Sequence, residues 1–279
     1  VRMLGKEVHL VSHHVVTDAS KIKGHLGLTS SRFDAFKASL YTFAFYCFYL
    51  VLGAVTSSVI ILEESLKQQL APVIAYKKLV AIPHAVDTDV RRLQKRTARK
   101  RLGIPQNEHV VMFFGFVNWF KGADFFAENF KKTSRVLGKK TRFIIAGGES
   151  ATLKDKPYYQ DYFNSVLHHV YGSKSLSITG YLPQEDIRLY FAAADLIVFP
   201  YRHFMCASGV LSLTFSHQKP FIVSQHISHM FDSPDLADAL RKSGLTREDI
   251  SFDLTKPDML RVTKKVLRNG LKKRMVEFG

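Results

Sequence analysis

The segment Phe113-Phe114-Gly115-Phe116-Val117-Asn118-Trp119-Phe120-Lys121-Gly122 joins an apolar run to an amphipathic stretch through two glycines and a lysine. A glycine at the end of a strand lets a ligand approach backbone N–H groups, the first turn of a helix adds partial positive charge, and a lysine adds a full one. Together they could hold a phosphate or diphosphate. The plainer reading is an ordinary strand-to-helix turn with a surface lysine. Neither the Gly-x-x-x-x-Gly-Lys-Ser/Thr pattern of nucleoside triphosphatases nor the Gly-x-Gly-x-x-Gly pattern of dinucleotide enzymes occurs here, which disfavours both chemistries.

The pattern recurs. Ile144-Ile145-Ala146 ends on Gly147-Gly148, and loops with glycine, aromatic or basic residues follow apolar runs at Gly180-Tyr181-Leu182-Pro183 and Pro200-Tyr201-Arg202. Ligands of open α/β sheets bind outside the carboxyl ends of the strands, so several such loops at one sheet edge weigh more than any single glycine. The elements that would carry them alternate regularly. Apolar runs at 78–82, 109–114, 141–146, 176–179, 195–199 and 220–224 read as strands, and amphipathic stretches at 124–137, 158–170, 184–194 and 209–218 read as helices. That alternation predicts a parallel sheet with helices between its strands. Val110-Val111-Met112-Phe113-Phe114 is apolar throughout, as a strand covered on both faces should be. A doubly wound, Rossmann-like α/β domain is therefore expected over about 105–255. Residues 1–80 offer only two strands, 7–12 and 58–62, around an apolar helix, too little for a complete sheet. The expected division is an incomplete amino-terminal α/β lobe over 1–90, the Rossmann-like lobe over 91–255 and a basic helix over 256–279.

With 279 residues, 46% of them apolar, the chain can bury a sizeable core, and one large or two medium domains are expected. Lys and Arg number 40 against 24 Asp and Glu, a net charge of +16, which favours an anionic partner such as a nucleotide, a phosphate, nucleic acid or lipid headgroups, without choosing among them. Nucleic acid is not expected as a partner: no helix-turn-helix, zinc finger or aromatic RNA-binding pattern is present, and the aromatics sit in apolar strands. Cys47 and Cys206 lack the spacing of a disulfide framework or a zinc site, which points to a reducing, cytoplasmic compartment. No leader pattern follows Val1, so a secretory signal is not expected.

From Ala38 to Leu62 no charged residue occurs. The stretch is long enough to cross a membrane. Gly53 and Thr56-Ser57-Ser58 interrupt it, however, and Ser58-Val59-Ile60-Ile61-Leu62 is β-branched like a strand. The expectation is a buried helix followed by a strand, with a membrane-inserted helix as the alternative. Arg91, Arg92, Lys95, Arg96, Arg99, Lys100 and Arg101 read as a surface helix at the domain junction. Lys264, Lys265, Arg268, Lys272, Lys273 and Arg274 read as the charged face of a terminal helix with Val262, Val266, Leu267 and Leu271 toward the core. Both clusters could instead hold the protein on an anionic membrane surface, placing it at the inner face of a membrane. His13-His14 lacks a third metal ligand at a useful spacing, so hydrogen bonding is its expected role, and His168-His169 reads as a surface pair. No nucleophilic triad and no paired carboxylates suited to glycoside hydrolysis stand out, which makes a hydrolase a poor reading.

Six motifs in order resemble a known family. Ile82-Pro83-His84-Ala85-Val86-Asp87, the Gly115 to Gly122 loop, Ile145-Ala146-Gly147, Gly180-Tyr181-Leu182-Pro183-Gln184-Glu185-Asp186, Ala194-Asp195-Leu196-Ile197-Val198-Phe199-Pro200 and Lys219-Pro220-Phe221-Ile222-Val223-Ser224 are similar to the nucleotide-binding lobe of retaining GT-B glycosyltransferases of group 1. These are relatives of sucrose synthase and of the mannosyl- and glucosyltransferases of lipid and polysaccharide assembly. The resemblance spans about 55–235. It implies sugar transfer from a nucleotide-sugar donor, without metal or cofactor, to an acceptor it does not identify. Gly115, Phe116, Lys121 and Gly122 match the loop that holds the donor diphosphate, with Lys121 offsetting leaving-group charge. Gly147 belongs to a neighbouring loop of the same edge. Gly180, Tyr181 and Leu182 match the loop beside the base, Ser208, Gly209 and Val210 the helix start over the phosphates or ribose, and Tyr201 and Arg202 the mouth of the cleft. His14 resembles the strand-end histidine that faces the donor sugar. Two glutamates usual in the family fall here at Met205 and Leu213, although some relatives carry a Ser-Gly-Val loop instead, much like Ser208-Gly209-Val210. The amino-terminal lobe reads as short by about a hundred residues against ordinary domain sizes, as in a fragment or a reduced relative.

Overall fold

The computed structural model of the chain describes residues 5–90, 92–205, 208–255 and 257–268. The amino-terminal lobe is built on a parallel three-stranded sheet, β1 (His9–Ser12), β2 (Ser58–Ile61) and β3 (Leu79–Ala81), with β2 in the centre. A 3-10 stretch, Ala19–Leu26, and the long helix α1 (Arg32–Val55) join β1 to β2, and α2 (Ser65–Leu70) lies before β3. Helix α1 starts where the Ser31 side chain accepts from Asp34 N and ends where the Thr56 hydroxyl donates to Leu52 O. Ala38, Thr42, Phe45, Tyr49 and Leu52 recur at three- and four-residue steps and form its inner seam. Tyr49 Oη accepts from Val16 N and Thr42 Oγ1 from Ala19 N, both at 3.0 Å. At the far end Lys78 Nζ donates to Gly53 O and Thr56 O. The helix and the strand are as the sequence predicts, but the expected burial is not. Only Ala38 and Tyr49 of α1 are buried, because the small sheet offers room for one face of the helix.

The larger lobe contains α3 (Lys95–Arg101), β4 (His109–Phe114), α4 (Ala123–Phe130), β5 (Arg135–Val136), β6 (Lys139–Ala146), α5 (Pro157–Tyr171), β7 (Leu176–Ile178), α6 (Gln184–Ala193), β8 (Leu196–Phe199), α7 (Gly209–Ser216), β9 (Phe221–Ser224), α8 (Pro234–Lys242), α9 (Arg247–Ile250), β10 (Ser251–Phe252) and α10 (Asp258–Leu267). Its sheet runs β10-β9-β8-β4-β6, with β7 parallel on the far side of β6 and the short β5 antiparallel to the start of β6. The chain moves outward through β6 and β7, returns to β8 and then moves the other way, so the direction reverses between β4 and β8. In open α/β sheets that reversal opens a crevice at the carboxyl ends of the strands. Strands β4, β8 and β9 are buried almost throughout. Phe130 stacks on Phe143 at 4.1 Å and meets Phe126 edge-on at 5.0 Å, an aromatic layer between sheet and helix. The helix expected over 124–137 stops at Phe130. Leu137 and Gly138 both take positive φ and close a two-residue hairpin, so Gly138 serves a turn and not a helix end.

The basic stretch before Leu102 is not simply a surface helix. Arg99 is 0% exposed. Its guanidinium reaches Asp195 Oδ2 at 2.7 Å and the carbonyls of Ala193, Pro105, Gln106 and Glu108. Lys95 pairs with the other Asp195 oxygen, Val110 N donates to Oδ2 at 2.9 Å, and Arg92 bonds Gln218. These cations join α3 to α6 and the sheet; Arg91 lies outside the described residues. In α10, Met259, Val262, Val266 and Leu267 are buried, while Leu271, Lys272, Lys273 and Arg274 lie outside the described residues, as does Cys206. His169 Nδ1 lies 3.1 Å from Lys131 Nζ.

Candidate active site

A cleft of about 880 Å³ opens where the sheet direction reverses. Gly115 and Phe116 from the end of β4, Ala146, Gly147 and Gly148 from β6, Tyr181 and Leu182 after β7, and Gly209, Val210 and Leu213 of α7 line it together with Lys121. The loops are bound to one another. Gly115 N donates to Ala146 O at 3.0 Å, Val117 N to Gly148 O at 2.9 Å and Gly147 N to Thr179 Oγ1 at 3.0 Å. Gly147 has φ of 153°, and a β-carbon there would fall 2.0 Å from Gly115 O, so only glycine lets the two strand ends close up. Gly122 takes φ of 71°, and its β-carbon would fall 2.0 Å from Pro200 O. That contact seats the start of α4 against the end of β8, beneath the cleft.

Lys121 is aimed by this packing. A β-carbon on Gly115 would sit 3.0 Å from Lys121 Nζ and 3.6 Å from Val210 Cγ2, which places the ammonium beside the glycine strand end and close to the first turn of α7. Ser208 caps that helix, its hydroxyl accepting from Leu211 N, and the dipole of α7 adds positive potential at the same point. Gly180 turns with φ of 76° just before Tyr181, whose ring is 74% exposed on the cleft wall.

Lys121 and Phe116 also line a second cavity, of about 440 Å³, with His14, His25, Asn118, Phe120 and Met205. The amino-terminal lobe reaches the larger one here: Val15 N donates to Met205 O at 2.7 Å, and Ile22, Phe120 and Met205 form a small buried cluster. The His14 pKa is lowered from its ordinary value, first by desolvation, then by the charges of His13 and Lys121. The ring is thus neutral at neutral pH and suited to exchanging hydrogen bonds with a hydroxyl.

Two residues expected at the mouth are elsewhere. Tyr201 is buried, edge-on to Phe120 and Phe199. Arg202 forms a two-pronged pair with Asp124 at 2.7 and 2.6 Å, donates to Trp119 O and lies over the Trp119 ring. A guanidinium so engaged has little left for a ligand. Ser208 borders a neighbouring small cavity and acts as the helix cap. Asp87 and Gln184, which the sequence motifs contain without a role, and Asp89, Ile187, Arg188 and His217, which they do not reach, also stand on the cleft wall. Gln184, Ile187 and Arg188 share one face of α6 at three- and four-residue steps, a spacing visible once the Gly180 loop is taken as the start of a ligand wall. His217 is stacked on Phe191 at 4.9 Å, and burial, followed by the charges of Lys219 and Arg92, pushes its pKa down to about 4.

The sequence of this lobe matches the family described as group 1 glycosyl transferases over residues 108–238. The matched segment is a little under half of the chain and holds β4 through most of α8. No curated protein matches the chain by sequence. Among solved structures the fold is similar to that of sucrose-phosphate synthase from Thermosynechococcus elongatus, with a TM-score of 0.69 at 13% identity, covering 96% of this chain and 60% of that one. It is similar to the Anabaena protein HepE in complex with UDP and glucose (TM-score 0.66, 12% identity, 99% of this chain and 66% of that one). It is also similar to a UDP-forming trehalose-phosphate synthase from Burkholderia vietnamiensis (0.64, 12%, 99% and 62%). The chain spans about 60–66% of the length of these three proteins. The architecture is GT-B, and the segment matched by the family supplies most of the cleft wall.

Proposed function

We propose that the chain transfers a sugar from a nucleotide-sugar donor to an acceptor, with retention of anomeric configuration. The observation that carries this reading is the place of Lys121, at the junction of the two cavities beside Gly115 and the start of α7. In this reading the diphosphate lies against the strand-end loops, the base extends along Tyr181 and Leu182, and the sugar points toward His14. As the glycosidic bond breaks, negative charge grows on the diphosphate. The Lys121 ammonium and the α7 dipole are already in position to stabilise it, without the cost of reorganising solvent. No metal or cofactor is given a part. The complexes of HepE with UDP and glucose favour UDP as the nucleotide to try first, and lipids, polysaccharides and other hydroxyl-bearing acceptors are the candidates to assay with it.

Lys121→Ala should lower donor affinity or the transfer rate tenfold or more, about 1.4 kcal/mol, with unchanged thermal stability. Unaltered kinetics and binding in that variant would remove the assignment. Leu213 on the cleft wall and the buried Met205 favour a second reading, a silent member that binds the donor without transferring it. Release of free nucleotide from the bound sugar conjugate, assayed with candidate acceptors, separates the two: release supports transfer, and tight binding without release supports the silent form.

A further inference from the structure

Helix α1 turns a broad apolar surface outward. Phe33, Phe36, Leu40, Phe43 and Val51 fall on one face and are between 55% and 67% exposed, and Tyr41, Tyr46, Phe48, Leu50 and Val55 flank them. Isolated exposed apolar residues are ordinary, but a continuous patch of this kind marks a docking surface. By length and composition the helix could cross a membrane: it has 24 residues, and an 18-residue window within it has a mean hydropathy of 1.7. Its inner seam says otherwise. Crossing would take Tyr49 from Val16 N, Thr42 from Ala19 N and Lys78 from the carbonyls at the helix end, leaving buried polar groups without partners.

We propose that α1 docks flat on the surface of an anionic lipid bilayer, its outer stripe entering the headgroup region while its inner seam stays on the protein. The charges around the stripe favour that occupant. At the start of the helix, Arg32 is exposed and Lys37 lies 4.5 Å over the Phe33 ring, while Lys21 of the adjoining 3-10 stretch faces the cavity it lines with Asp18 and His203. Beyond its other end Lys77 is exposed. Asp34, the one acid on the helix, is taken up by Thr29 and Lys37. An apolar stripe bordered by cations matches anionic headgroups, and the exposed tyrosines present a polar tip at the depth where such rings settle. The same 3-10 stretch carries His25, whose ring meets Phe120 at 5.2 Å, so docking would hold the cavity between the lobes near the lipid. The inference does not depend on sugar transfer, since the donor cleft is in the other lobe.

The test is co-sedimentation of the full chain with vesicles of phosphatidylcholine alone or mixed with phosphatidylglycerol. Binding to the mixed vesicles should be at least tenfold tighter, weaken with salt and be lost in F36S/F43S/V51S while the thermal midpoint is kept. Should that triple variant not fold, Phe43→Trp provides the second reading: the fluorescence of the introduced indole should be quenched by brominated lipid in the mixed vesicles. Absence of binding to mixed vesicles would overturn the proposal, as would binding indifferent to the triple variant or unquenched fluorescence in Phe43→Trp. A dimer in solution that F36S/F43S/V51S abolishes would also overturn it, because a second copy would then be what covers the stripe.

Discussion

In the larger lobe β4, β8 and β9 are enclosed on both faces and the short apolar helix α7 keeps Leu211 and Phe215 in the core, whereas in the smaller lobe the three-times-longer apolar helix α1 stands largely in the open. The small sheet is equally one-sided. Val59, Ile61 and Leu79 are buried, while Val11 and Val80 on the opposite face are exposed. Hydropathy says which segments gain from burial; which of them are buried depends on what lies across from them. Six parallel strands and their helices supply that second surface in the larger lobe, and three short strands cannot do so for a helix of 24 residues.

The sharpest way to break this contrast is at the ion pair that closes the larger lobe. Asp195→Ala strands the fully buried Arg99 guanidinium without its carboxylate, and the expected loss is about 3–5 kcal/mol in chemical denaturation. A change under about 1 kcal/mol would mean that the carbonyls around Arg99 suffice. In the smaller lobe Ile61→Ala, at a fully buried centre-strand position, should cost about 2–5 kcal/mol and leave nucleotide affinity in the other lobe unchanged. A loss of affinity would show that the lobes are not separable in this sense.

A pH titration sharpens the contrast further. The His217 pKa lies at about 4 in the folded chain against an ordinary 6.5, so the folded form binds this proton less readily than the unfolded one. Its contribution to stability is full above pH 6.5 and falls as the pH drops toward 4. His217→Phe should flatten the decline in that window, measured by denaturation at a series of pH values; an unchanged slope would place the titration elsewhere. The smallest effect is expected on the open face of α1, where Phe43→Ser should shift stability by about 0.5 kcal/mol or less. A larger loss would mean that the outer stripe is packed in solution.

The glycine-ended strands were legible because two signals coincide at each: an apolar run long enough for a covered strand, and a glycine where that run stops. His109–Phe114 was found to the residue, and Gly115, Gly147 and Tyr181 do share one cleft. Side-chain direction was not legible. Tyr201 and Arg202 follow β8 as the cleft residues follow β4, but Asp124, brought alongside by α4, draws the guanidinium under Trp119. Nothing local to Pro200-Tyr201-Arg202 carries that information. The helix over 124–137 was overextended because Val136 and Leu137 keep its apolar period, while the positive φ at Leu137 depends on pairing with β6. Arg99 was read as a surface cation for a similar reason: its partners, Asp195 and Ala193, are about a hundred residues away in the chain.

The most direct measurement is titration calorimetry of UDP, GDP and ADP and their sugar conjugates against the intact chain and against Val210→Trp, which narrows the cleft at the α7 start without touching the ion pairs of the core. The account predicts that one nucleotide binds saturably, one per chain, that its sugar conjugate binds at the same place, and that Val210→Trp weakens both at least tenfold. Saturable binding indifferent to Val210→Trp, or no binding by any of these nucleotides, would contradict it.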